Sequence, residues 1–96
     1  MLLDTLHRQK REINALAKQY GARRIRVFGS VSRGEEKPDS DIDFLVDLPR
    51  GYDLFGQRIP LTQRLAELTG RQVEVIPEHE LNRYIRDSVL KEAVDL

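Results

Sequence analysis

Ser40-Asp41-Ile42-Asp43-Phe44-Leu45-Val46 alternates polar and apolar residues and so reads as a strand. Side chains of a strand point alternately to its two faces, which puts Ile42, Phe44 and Val46 on one side and Asp41, Asp43 and Leu45 on the other. Both carboxylates therefore project the same way, with Cα atoms about 6.6 Å apart. Upstream, Arg24 to Phe28 alternates in the same manner and is closed by Gly29-Ser30, with one short helical turn expected over Val31 to Gly34 and a polar loop over Glu35 to Ser40. Gly29-Ser30 ends one strand and Asp41 begins the next, so the two motifs become neighbours only if these strands run antiparallel. Downstream, Gln72 to Ile76 forms a third short strand that carries Glu74 between Val73 and Val75.

Helical spacing fills the rest. Leu6, Ile13, Leu16, Ala17 and Tyr20 mark a first helix with Asp4 as its cap, ending at Gly21. Leu54, Leu61, Leu65 and Leu68 mark another, kinked or delayed by Pro60 and stopped at Gly70. Leu81, Tyr84, Ile85, Val89 and Ala93 define the last. The expected architecture is α/β (α+β): a small mixed three-stranded sheet flanked by helices, in the order α-β-α-β-α-β-α. With 96 residues, residues 1–96 are expected to form a single domain.

Three acids gathered at one place would repel strongly, since two unit charges about 4 Å apart cost about 4 kcal/mol at an effective dielectric of about 20. A divalent cation removes that cost, and an all-oxygen donor set without cysteine fits Mg²⁺ or Mn²⁺. Taken alone, Asp41 and Asp43 read more readily as exposed aspartates beside a loop. Gly29 lets backbone amides approach a phosphate, Ser30 adds a hydroxyl and Arg33 could clamp phosphate oxygens, although a glycine-serine pair after a strand is more often only a turn. Two competing motifs fail. Gly29 and Gly34 have the glycine spacing of a P-loop, but Glu35 and Glu36 stand where its Lys and Ser/Thr belong. An EF-hand reading of Asp39, Asp41 and Asp43 meets Phe44 at the turn glycine and Arg50 at the bidentate Glu.

Sixteen basic residues balance sixteen acidic ones, so no global field advertises nucleic acid, and direct nucleic-acid binding is not expected. The charges are nonetheless unevenly spread, with a net of +7 over His7 to Gly34 and of −5 over Glu35 to Gly56. No apolar run approaches the roughly 20 residues of a membrane span. The zero cysteine count excludes disulfide scaffolds and thiol chemistry. No secretory leader is evident, and a cytoplasmic location is the default expectation.

In combination, Gly29-Ser30-Val31-Ser32-Arg33-Gly34-Glu35, Ser40-Asp41-Ile42-Asp43-Phe44-Leu45-Val46 and Val73-Glu74-Val75 resemble the polymerase beta-like nucleotidyltransferase superfamily. At this length the chain resembles its minimal nucleotidyltransferase family, with a match from about Ile25 to the C-terminus. The resemblance implies that Gly29 and Ser30 hold the terminal phosphates of ATP, and that Asp41 and Asp43 ligate two Mg²⁺ ions. It also implies that Glu74 completes the metal site and helps to deprotonate the attacking hydroxyl. Arg33 would steady the triphosphate, and Ser40 would orient Asp41 or cap the start of the strand. The third acid of the family is usually Asp, and Glu74 is longer by one methylene, about 1.5 Å. Family members of this size are typically encoded beside a HEPN-domain toxin and act as antitoxins, adding AMP to one of its tyrosines. The resemblance therefore implies such a toxin as partner, and the excess of Arg and Lys around Arg8, Arg11, Arg24 and Arg26 could dock an acidic partner face. A solvated basic helix would give the same pattern. The longer Glu74 keeps open an antitoxin that neutralises by binding alone.

Overall fold

The computed structural model describes all residues, Met1–Leu96. The amino-terminal stripe forms two helices, α1 (Leu2–Arg8) and α2 (Lys10–Gln19), rather than one. They meet at Gln9, whose side chain crosses to the carbonyl of Leu68 at 3.3 Å. Asp4 lies inside the first turn of α1 and caps it from there, its carboxylate accepting from the Met1 amine at 3.3 Å. Gly21, at φ +86°, turns the chain after α2 into β1 (Ile25–Phe28). Residues 29–34 form a hydrogen-bonded turn instead of the expected helical turn, closed by Gly34 N–H on Val31 O and Glu35 N–H on Ser30 O. β2 (Ile42–Val46) follows.

The leucine stripe after β2 begins as one π-helical turn, Leu54–Arg58, and becomes α3 (Ile59–Thr69). Pro60 has no N–H to give the Gly56 carbonyl, so the regular ladder cannot run through this point and the wider turn precedes it. Gly70, at φ +69°, ends α3 in the left-handed conformation. β3 (Val73–Pro77), a 3₁₀ turn (Glu78–Glu80), α4 (Arg83–Glu92) and a two-residue β4 (Val94–Asp95) complete the chain.

The sheet has four strands in the order β3-β2-β1-β4, one more than the periodicity reveals. Two residues are too few to show alternation, which is why β4 escapes a sequence reading. The pairings β1–β2 and β1–β4 are antiparallel and β2–β3 is parallel, so the sheet is mixed. Ile25, Val27, Ile42, Phe44, Val46 and Val75 occupy one face and are buried in one core with Leu6, Ile13, Ala17, Leu61 and Leu65. The other face carries Arg26, Phe28, Asp43, Leu45, Glu74 and Ile76. Only Val89 of α4 is buried. Of the expected apolar stripe, Tyr84 at 80% and Ile85 at 51% are exposed and Leu81 and Ala93 are half-buried, because the first turn of the helix borders a groove instead of packing on the sheet. No helix is long and apolar enough to cross a membrane.

Candidate active site

Register builds the site. Antiparallel pairing sets Phe28 opposite Asp43, so the turn that begins at Gly29 closes beside that carboxylate. Parallel pairing sets Glu74 opposite Asp43 on the other flank. Cross-strand neighbours of this kind have Cβ atoms about 4.5–5.5 Å apart, so the two acids share one patch of the sheet. Gly29 adopts φ +74°, and any side chain there would run into the Asp43 carboxylate. Glycine is required at this position twice over, by conformation and by space.

Asp43 is half-buried, whereas Asp41 and Glu74 are exposed. Burial, then the charge and shared hydrogen bond of Glu74, then the charges of Asp41 and Glu92, push Asp43 up to about 6. No group of three or more His, Cys, Asp or Glu side chains is gathered tightly enough to hold a metal by itself. The donor chemistry still fits Mg²⁺. The oxygens are hard and crowded by like charge, and Mg²⁺ is usually held by one or two carboxylates plus substrate phosphates rather than by an all-protein cage. A groove lined by Phe28, Asp43, Glu74, Ile76, Glu80 and the start of α4 opens in front of the pair.

The donors of the turn converge on an anion already present in the chain. Gly29 N–H donates to Glu92 Oε2 at 2.6 Å, and Arg33 Nη1 lies 2.9 and 3.2 Å from its two oxygens. Ser32 Oγ lies 3.4 Å from the same carboxylate and donates to Gly29 O at 2.8 Å. Ser32 is thus the hydroxyl beside the Glu92 carboxylate, while the Ser30 carbonyl accepts from the Glu35 N–H at 2.9 Å. Sequence reasoning missed Ser32 and Glu92. The first sits inside the quoted motif, and the second has no local signal, being 63 residues from Gly29. Ser40 Oγ accepts from Lys37 N–H at 2.8 Å and so stabilises the loop leading to Asp41. Arg71 braces the same loop, with Nη1 at 3.3–3.4 Å from the carbonyls of Lys37, Pro38 and Ser40.

Two residues of the expected basic face are used internally. Arg26 is buried and pairs with Glu78 at 2.8 Å, and Arg24 forms a fork with Asp95 at 2.6 and 2.8 Å. The Tyr52 hydroxyl donates to Glu80 at 2.6 Å and accepts from Arg58 at 3.0 Å, which ties it to the wall of the groove.

Comparison with known proteins agrees with this geometry. The family model for the nucleotidyltransferase domain matches residues 8–96. The protein adenylyltransferase MntA of Thermococcus cleftensis is 40% identical over 79 residues, 82% of this chain and 79% of its own. MJ0435 of Methanocaldococcus jannaschii, named as a candidate protein adenylyltransferase, is 36% identical over 91% of this chain and 92% of its own. A solved structure described as a candidate minimal nucleotidyltransferase superposes at TM-score 0.86 with 40% identity, covering 100% of this chain and 97% of that one. A toxin–antitoxin structure with AMP-PNP superposes at TM-score 0.75 over 90% of this chain and 70% of that one, and at 24% identity it shares the fold. A strand-bound acid pair beside a glycine turn, on a scaffold matched along its whole length, makes this chain a member of the nucleotidyltransferase domain family, of the minimal nucleotidyltransferase kind.

Proposed function

We propose that residues 1–96 form one ATP- and Mg²⁺-dependent nucleotidyltransferase domain that transfers AMP to a hydroxyl of a toxin partner and so acts as an antitoxin. The observation that carries this reading is the sheet register that sets Asp43 between the Gly29 turn and Glu74. Asp41, Asp43 and Glu74 would hold the metal, and Gly29, Ser30, Ser32 and Arg33 would receive the terminal phosphates, with Ser40 supporting the approach to Asp41. Divalent ions bound there would supply Lewis acidity at the α-phosphate, a lowered pKa for the acceptor hydroxyl and charge neutralisation on the departing pyrophosphate. The acceptor oxygen bonds to the α-phosphorus, the bond from that phosphorus to the bridging oxygen breaks, and the hydroxyl proton passes to Glu74. AMP remains on the acceptor as a phosphodiester.

The named activity of the relatives supports adenylyl transfer to protein, and the toxin–antitoxin neighbours support a toxin as acceptor. The family resemblance narrows that partner to a HEPN-type toxin and its acceptor to a tyrosine, and the absence of cysteine suits a cytoplasmic location. The test is to incubate the chain with ATP, Mg²⁺ and the neighbour-encoded partner and weigh the partner by mass spectrometry. One or more added AMP groups on tyrosine supports the proposal. Neutralisation at unchanged mass identifies the alternative, an antitoxin that acts by binding alone.

A further inference from the structure

A negative side chain in the last turn of a helix faces the negative end of the helix dipole, an unfavourable position unless something else holds it. Glu92 is the last residue of α4. Its carboxylate is held across the molecule by the Gly29 N–H at 2.6 Å and by the Arg33 guanidinium at 2.9 Å, with the Ser32 hydroxyl at 3.4 Å. One amide and one guanidinium are donors that recognise a phosphate oxygen, while the single proton of the Ser32 hydroxyl goes to the Gly29 carbonyl at 2.8 Å. Asp43 lies against the same turn, so the carboxylate stays there despite a like charge close by.

We infer that Glu92 is an internal stand-in for a nucleotide phosphate: a triphosphate binds the Gly29–Arg33 turn by displacing it, and Glu92 thereby sets nucleotide affinity. This inference rests on the reading of that turn as the phosphate site. Its structural consequence follows from chain connectivity. Ala93 separates Glu92 from β4, whose two residues pair with Arg26 and Val27 of β1. Displacing the carboxylate therefore pulls on the last turn of α4, where Val89 alone is buried, and on β4, whose Val94 is only partly buried against the core. A competitor tethered in the site lowers apparent affinity by the fraction of molecules in which it is released, in the manner of any pre-equilibrium.

The test measures the dissociation constant of ATP with Mg²⁺ by calorimetry on the full chain, in wild type, Glu92→Gln and Glu92→Ala. Magnesium-free tripolyphosphate serves as a second probe of the turn alone. Hydrogen exchange of the residue 93–96 amides is followed in wild type with and without ATP. The expected result is tighter binding of both probes by about tenfold in Glu92→Gln, together with faster exchange of residues 93–96 when wild type is saturated with ATP. The exchange measurement needs no variant, so it stands even if a substitution disturbs folding. Equal affinity in all three proteins with unchanged exchange overturns the stand-in while leaving the nucleotide site in place. Weaker binding in Glu92→Gln also overturns it, because the carboxylate would then be helping to hold the metal. Absence of ATP binding in every protein overturns both the inference and the nucleotidyltransferase reading beneath it.

Discussion

Asp43 is where burial, register and charge meet. A carboxyl whose pKa is raised in the fold, here from 3.8 to about 6, holds its proton more tightly folded than unfolded. Its contribution is therefore most favourable at low pH and is lost as pH rises from about 4 through about 6. Because the side chain is only half-buried, the penalty at neutral pH is discounted to on the order of 1 kcal/mol. Asp43→Asn removes it. In metal-free buffer, chemical denaturation should find this variant on the order of 1 kcal/mol more stable than wild type at pH 8 and no more stable at pH 3.5. The same variant should lose AMP transfer by at least about 10²-fold, since even outer-shell support of a metal is worth 10–100-fold. A variant that transfers normally would place the metal elsewhere. Gly29→Ala should act in the opposite direction on stability. It combines a strained positive φ with a collision on the Asp43 carboxylate, and a thermal melt should show a loss of about 1–3 kcal/mol.

At the scale of elements, the segment from Glu35 to Ser40 delivers Asp41 to the site and is held by polar contacts, chiefly the Arg71 guanidinium on three carbonyls. These bonds are long and two of the three are exposed, so Arg71→Ala should change global stability by less than about 1 kcal/mol. It should also speed hydrogen exchange over residues 37–41 and lower transfer, a combination that separates positioning from folding. The strands, the strand-borne acids and the glycine turn were legible in the sequence because each is written in a local pattern: alternation over Asp41 to Val46, a glycine where a strand stops, an acid amid valines at Glu74. What escaped depends on distant partners. Gln9 breaks the first helix toward Leu68, β4 exists only because β1 offers it an edge, and Glu92 acquires its role from donors at Gly29 and Arg33. Ser32 escaped for a related reason, since the turn geometry that sets its hydroxyl beside the Glu92 carboxylate is not encoded in spacing.

For the whole molecule, the two faces of the sheet are unequal. Phe44, Val27 and Ile42 are buried with α1, α2 and α3 in one continuous core, whereas α4 buries Val89 alone, and the carboxy-terminal segment is otherwise held by the partly buried Val94 and Leu96 and by polar links. Those links are Glu92 on the Gly29 turn, the Arg86 guanidinium on the Glu78 carbonyl at 3.0 Å, and the Arg24–Asp95 fork. The guanidinium of Arg24 holds Asp95 below the usual carboxylate range, so this link favours the fold at neutral pH and weakens as acid protonates Asp95. Apolar burial dominates stability, and polar contacts exposed to water add little. Residues 83–96 should therefore open independently, at a free energy well below that of global unfolding. Native-state hydrogen exchange checks this in two variants. Phe44→Ala empties the main core and should lower protection of the sheet and of α2 and α3 together, by about 3–5 kcal/mol. Val89→Ala should lower protection only within residues 83–96, leaving the slowest amides of β1 and β2 unchanged. If Val89→Ala lowered protection everywhere equally, α4 would be an integral part of the core, and a carboxylate at its end could not be exchanged for a phosphate without unfolding the sheet beneath it.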